Sequence, residues 1–125
     1  MAHNPAFERL VQRAKERIQE ISVDKVHEQL IRNEPFVFID IREDHERQKE
    51  YAEGSLHIGR GILERDIERQ PFEKDTMIVL YCGGGYRSAL AALNLLEMGY
   101  TQVRSMAGGL KAWKRAGYPL KEECS

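Results

Sequence analysis

The sequence predicts an α/β domain with a mainly parallel central sheet and helices on both faces. Three observations predict it. Short β-rich runs alternate with helical segments along the whole chain. Two of those runs, "FVFID" (36–40) and "TMIVLY" (76–81), are apolar nearly throughout, the pattern of strands buried on both faces. At 125 residues, 42% apolar and 31% charged, the chain is ordinary for a soluble domain and long enough to bury a real core.

The elements follow in chain order. Phe7, Leu10, Val11, Ala14, Ile18 and Ile21 fall at helical spacing, so residues 1–20 read as an amphipathic N-terminal helix. "ISVDKVHEQLIRNEP" reads as a short extended entry, a cap at Ser22 or Asp24, and a helix that stops before Pro35. The strand at 36–40 comes next. "EDHERQKEYA" is charged and helix-forming, with its end expected near Gly54. "HIGRGIL" reads as a short strand and turn, and "ERDIERQ" as a helical turn ended by Pro71. After the strand at 76–81, residues 87–98 form a helix that packs through Leu90, Leu93, Leu95 and Leu96 and ends at Gly99. "TQVRSM" is a further strand, and "GGLKAWKRAGYP" is a helix closed by Gly117 and Pro119, with Trp113 in the core. Residues 21–120 make the domain, and 121–125 a polar tail.

Charge and cysteine count narrow the function. A net charge of -1 argues against nucleic acid or an acidic membrane surface as a partner. Two cysteines, Cys82 and Cys124, are too few for a disulfide scaffold, and their spacing fits no zinc pattern. No run approaches a membrane span. The first residues lack the apolar core of a secretory signal and carry Glu8, Glu16 and Glu20, so a cytoplasmic protein is expected.

The chemistry concentrates in "VLYCGGGYRSALAA". Sites in open α/β sheets lie at the carboxyl ends of the strands, and Cys82 stands directly after such a strand. Gly83, Gly84 and Gly85 permit a loop whose successive N–H groups turn inward as an anion nest. The following helix adds the positive end of its dipole, and Arg87 adds a full charge. Each favours a thiolate over a thiol at Cys82, and each would stabilise an anion built on the sulfur. A nucleotide loop would need Gly-Lys-Ser/Thr where Tyr86, Arg87 and Ser88 stand.

These residues resemble the active-site loop of the rhodanese superfamily, especially its single-domain thiosulfate sulfurtransferases. "FIDIREDHE" is similar to the family's Asp-x-Arg-x-x-x-Glu segment, here Asp40, Arg42 and Glu46. "EGSLHIGRGI" resembles its Gly-His-Ile segment, interrupted here by Ser55 and Leu56. "GGLKAWKRAGYP" resembles its closing pattern, here Gly108, Gly109, Trp113, Gly117 and Pro119.

The resemblance covers about residues 21–120 and implies a rhodanese-like fold with persulfide chemistry at Cys82. In the family's sulfurtransferases the loop is one residue shorter than in the related phosphatases. Arg87 stands five positions after Cys82, which matches the shorter loop. The implied reaction moves sulfane sulfur from a small donor such as thiosulfate, through Cys82, to cyanide or a thiol, including a thiol-bearing protein, with no metal or organic cofactor. Gly83, Gly84, Gly85, Tyr86 and Arg87 would hold the donor and the persulfide through backbone N–H groups. Asp40, Arg42 and Ser88 would support the loop. The alternatives are a Cys-Arg phosphatase or arsenate-reductase-like enzyme, and a rhodanese-like binding or sulfur-delivery module.

One departure is that the loop carries glycine where many relatives place a hydroxyl. Among the remaining residues, Arg60 reads as a surface arginine, His57 as a satisfied, partly buried histidine, and His27 and His45 as solvated. Cys124 reads as an exposed thiol, with a resolving role for Cys82 as the sharper alternative.

Overall fold

The computed structural model describes residues 4–122. Helix α1 (Pro5–Lys15) starts at Asn4, whose side chain accepts the Ala6 N–H at 2.9 Å, with Pro5 at its first position. It ends short of the expected residue 20. Residues 19–21 instead form strand β1 (Gln19–Ile21), which pairs in parallel with residues 104–106. Ile18 and Ile21 keep their helical spacing only by coincidence; they reach the core from a turn and a strand. The sheet-edge hydrogen bonds of β1 outweigh one more turn of exposed helix.

Ser22 caps α2 (Val23–Ile31), accepting the Lys25 N–H. Strand β2 (Val37–Asp40) leads to α3 (Asp44–Lys49). That helix stops at Lys49 because Tyr51 and Ala52 form a strand, β3 (Tyr51–Ala52), paired antiparallel with β7 (Leu120–Lys121). Lys121, expected in the tail, is therefore part of this two-stranded ribbon. β4 (Leu56–His57), α4 (Leu63–Asp66) and a 3-10 turn (Ile67–Arg69) follow. The last third is β5 (Met77–Tyr81), α5 (Tyr86–Glu97), β6 (Gln102–Met106) and α6 (Gly109–Arg115).

The main sheet has five strands in the order β1-β6-β5-β2-β4, all parallel. The period of two along β5 divides the core. Ile78 and Leu80 face α4 and α5 through Leu63, Ala91 and Leu95. Val79 and Tyr81 face α2 and α6 through Val26, Leu110 and Trp113. Each fully buried Ile or Leu contributes roughly 1.5–3 kcal/mol relative to exposure. Trp113 is buried as expected, and its indole N–H donates to the Pro119 carbonyl at 2.9 Å. His27 is not simply solvated: its ring stacks on Tyr118 at 4.0 Å between centroids. Helix α1 lies outside this sandwich, burying Val11 and Ala14 against Ala89 of α5. No helix of the described residues is long and apolar enough to cross a membrane.

Candidate active site

The register of the sheet places the site. Asp40 pairs with Tyr81 across β2 and β5, so both strands end at one level. Cys82 leaves the sheet there, and Gly85, at φ +96°, turns the chain into α5. The turn folds backbone onto the sulfur. Cys82 Sγ accepts the N–H of Gly85 at 3.1 Å and of Ser88 at 3.4 Å. The Ser88 hydroxyl lies 3.6 Å from the sulfur and bonds the Ser105 hydroxyl of β6 at 2.7 Å. Ser88 therefore does more than support the loop, since its backbone N–H reaches the sulfur directly.

Helix α6 holds the loop from the other side. The Cys82 carbonyl accepts the Leu110 N–H at 2.8 Å, and the Gly83 carbonyl the Lys111 N–H at 3.0 Å. In trans peptides the next N–H points opposite to each carbonyl. The Gly83 and Gly84 N–H groups are thus turned away from α6. Gly109 makes this approach possible: a Cβ there would stand 2.5 Å from the Cys82 carbonyl oxygen.

Cys82 is 1% exposed and sits in the lining of a cleft of about 410 Å³ with Gly83, Gly84, Tyr86 and Arg87. Three further residues line it: Phe7 from α1, Glu46 from α3 and Lys111 from α6. Spacing gave no sign of Phe7 or Lys111, which reach the cleft from distant parts of the chain. The Phe7 and Tyr86 rings lie 6.0 Å apart, and the Lys15 ammonium sits 5.6 Å from the Tyr86 centroid.

Arg87 is held in place rather than left loose. Its two terminal nitrogens donate to the two Glu46 oxygens at 2.9 and 3.1 Å, a bidentate pair. Glu46 Oε1 also accepts the Glu43 N–H at 3.0 Å, closing the capping box of α3. The hydrogen bonds from Arg87, opposed by partial burial and aided by the Glu43 N–H, hold the Glu46 carboxyl at about 2, below its ordinary 4.5. Hydrogen bonding to Glu46 likewise raises Arg87.

A sign follows for acid stability. Because the folded value lies below the ordinary one, this pair stabilises the fold above 4.5, and the contribution is lost as pH falls through about 2. Urea midpoints measured between about pH 5 and 2 should fall more steeply for the wild type than for Glu46→Gln.

Asp40 and Arg42 do not line the cleft. Asp40 is fully buried and accepts the Arg42 side chain through Nε at 3.0 Å and Nη2 at 2.9 Å. It also accepts the Tyr81 hydroxyl at 3.0 Å, and Arg47 approaches at 3.5 Å. Burial, and then the Asp40 charge, push the Tyr81 hydroxyl up to about 12, so it stays a donor. Asp40 and Arg42, expected to support the loop, pair with each other, and their link to it runs through Tyr81, the residue before Cys82. His57 is half-buried with Nε2 at 2.8 Å from the Arg42 carbonyl, and Arg60 pairs with Glu64. Neither lines the cleft. Cys124 lies outside the described residues. Among the described residues, no group of three or more His, Cys, Asp or Glu could hold a metal ion.

A parallel α/β sheet with a cysteine-bearing loop at its carboxyl edge, clasped by two helix starts, defines a class of cysteine-loop domain. Within that class the chain belongs to the rhodanese-like domain family, which residues 22–116 match. It is 29% identical to a sulfurtransferase of Allochromatium vinosum over 103 residues, 82% of this chain and 94% of that one. It is 28% identical to the thiosulfate sulfurtransferase GlpE of Coxiella burnetii over 75% of this chain and 85% of the relative.

Among solved structures, it is similar to a Rhodopseudomonas palustris protein of unknown function described as a "Possible Tyrosine Phosphatase" (TM-score 0.82, 27% identity, 97% of this chain and 98% of that one). It is also similar to the polysulfide-sulfur transferase homodimer of Wolinella succinogenes (TM-score 0.80, 25% identity, 94% and 88%). The first of these likenesses spans too much of the chain to leave out α1, which the family match does not include.

Proposed function

We propose that the protein is a sulfurtransferase that carries sulfane sulfur on Cys82 between a small anionic donor, such as thiosulfate, and a thiophilic acceptor. The observation that carries the reading is the Cys82 sulfur in a closed cleft floor, accepting N–H groups from Gly85 and Ser88. The named activities of the sulfurtransferase relatives support it.

The Cys82 thiolate attacks the outer sulfur of thiosulfate. A new S–S bond forms as the old one breaks, and sulfite departs with the bonding electron pair. The Cys82 persulfide that results is an anion. The Gly85 and Ser88 N–H groups that already reach the sulfur, with the other loop N–H groups, would stabilise that charge as an oxyanion hole stabilises a developing oxyanion. Cyanide or an acceptor thiolate then takes the terminal sulfur, and the Cys82 thiolate returns. The sulfur enters and leaves as a single atom, which suits a floor too closed for a bulky group. Arg87, fixed by Glu46, and the backbone of Gly83, Gly84, Gly85 and Tyr86 frame the donor. Asp40 and Arg42 support the strand ends beneath.

The reading predicts ping-pong kinetics: parallel double-reciprocal lines for thiosulfate against cyanide. A phosphatase reading, raised by the Rhodopseudomonas likeness, predicts release of nitrophenol from p-nitrophenyl phosphate instead. The short spacing from Cys82 to Arg87 weighs against it. A binding module would show neither activity.

A further inference from the structure

The cleft contains an uneven set of charges. Arg87, its most obvious cation, is engaged by both Glu46 oxygens, so the two charges offset each other locally. Lys111 also lines the cleft and, among the described residues, joins no ion pair. Its backbone is fixed, because its N–H bonds the Gly83 carbonyl inside the active loop. Its side chain is exposed and carries no load in the core. Besides the Cys82 sulfur, the lining thus keeps one positive charge that no carboxylate engages, at the end of a flexible stem anchored beside the cysteine. A compact ammonium on such a stem suits an anion whose position shifts as a bond to it breaks.

Building on the sulfurtransferase reading, we propose that Lys111 is the residue that recognises the anionic end of the sulfur donor, the oxygens that leave with sulfite when the donor is thiosulfate. Arg87 then acts mainly as a fixed wall of the cleft, and Lys111 sets the preference for charged over neutral donors. Because the attraction acts in a partly open cleft, the donor's apparent affinity weakens as salt is added.

The test uses the full chain with Lys111→Met and Lys111→Arg, both at an exposed position that leaves folding intact. Alkylation of Cys82, located by peptide mass, is timed with iodoacetate and with iodoacetamide, which match in shape and differ in charge. In Lys111→Met the iodoacetate rate should drop roughly ten-fold, the scale of a hydrogen bond to a charged group, while iodoacetamide moves less than about two-fold. Lys111→Arg should restore the anion preference. With thiosulfate, KM should rise roughly ten-fold in Lys111→Met with kcat little changed.

An equal drop with both reagents would overturn the proposal, since Lys111 would then act on the sulfur itself. So would no drop with either reagent. If iodoacetate selectivity follows Lys111 but the wild type takes no sulfur from thiosulfate, the anion site stands and the sulfurtransferase reading falls.

Discussion

Gly109→Ala is expected to cost about 2–4 kcal/mol of stability and at least roughly a hundred-fold in sulfur transfer. The new Cβ would stand 2.5 Å from the Cys82 carbonyl oxygen, and 2.7 and 2.8 Å from the Gly83 carbonyl carbon and oxygen. All three are backbone atoms of the loop, so no flexible side chain can swing aside. Residue 109 also sits at φ +56°, where a Cβ adds strain of its own. Relief requires α6 and the loop to part, which breaks the Leu110 and Lys111 N–H bonds to Cys82 and Gly83. Those bonds orient the peptides whose N–H groups face away from α6, so the cradle loses its aim along with its support. Gly61→Ala is the matched control: its Cβ meets nothing within 4 Å, and stability should move by less than about 0.5 kcal/mol. Urea midpoints and steady-state rates of the two variants check both halves of the prediction.

Asp40→Ala should be still more damaging to the fold, by about 3–5 kcal/mol. The carboxylate is the common acceptor for the buried Arg42, the buried Arg47 and the Tyr81 hydroxyl. Without it, two buried guanidinium groups lose the carboxylate they share. Arg42 keeps the Glu50 carbonyl and Arg47 keeps Ser55 and the Leu56 carbonyl, neutral acceptors that do not replace the lost carboxylate. Against a total stability of about 5–15 kcal/mol, such a loss leaves a domain close to unfolding at physiological temperature. Asp40→Asn keeps the acceptor and the shape but not the charge, so it should fall between wild type and Asp40→Ala. Thermal melts of the three proteins give the order directly.

The sequence made the local half of this structure legible. Cys82, its glycines and the start of α5 are neighbours in the chain, and their chemistry follows from residue type and order. The sheet was legible for a similar reason, because buried parallel strands are short apolar runs whatever they pair with. What depended on distant pairing was hidden. Nothing in Tyr51 and Ala52 announces a strand; they become one because the chain returns at Leu120 and Lys121. Ile18 and Ile21 continued a helical spacing that the β1–β6 pairing cuts short.

The same division runs through the site. Glu46 was visible as part of a motif, but its partner Arg87 stands 41 positions away. Ser105 was readable only as a polar residue in a short strand, and its tie to Ser88 needed the sheet and α5 together. Phe7 read as part of an amphipathic stripe, and only the docking of α1 on α5 brings it to the cleft.

The central claim is that Cys82 takes up sulfane sulfur, and intact-protein mass tests it most directly. Wild type and Cys82→Ser are exposed briefly to thiosulfate and weighed. The account predicts a gain of one sulfur atom on the wild type, removed by cyanide, and none on Cys82→Ser. An unchanged wild-type mass, or an equal gain on both proteins, would contradict it.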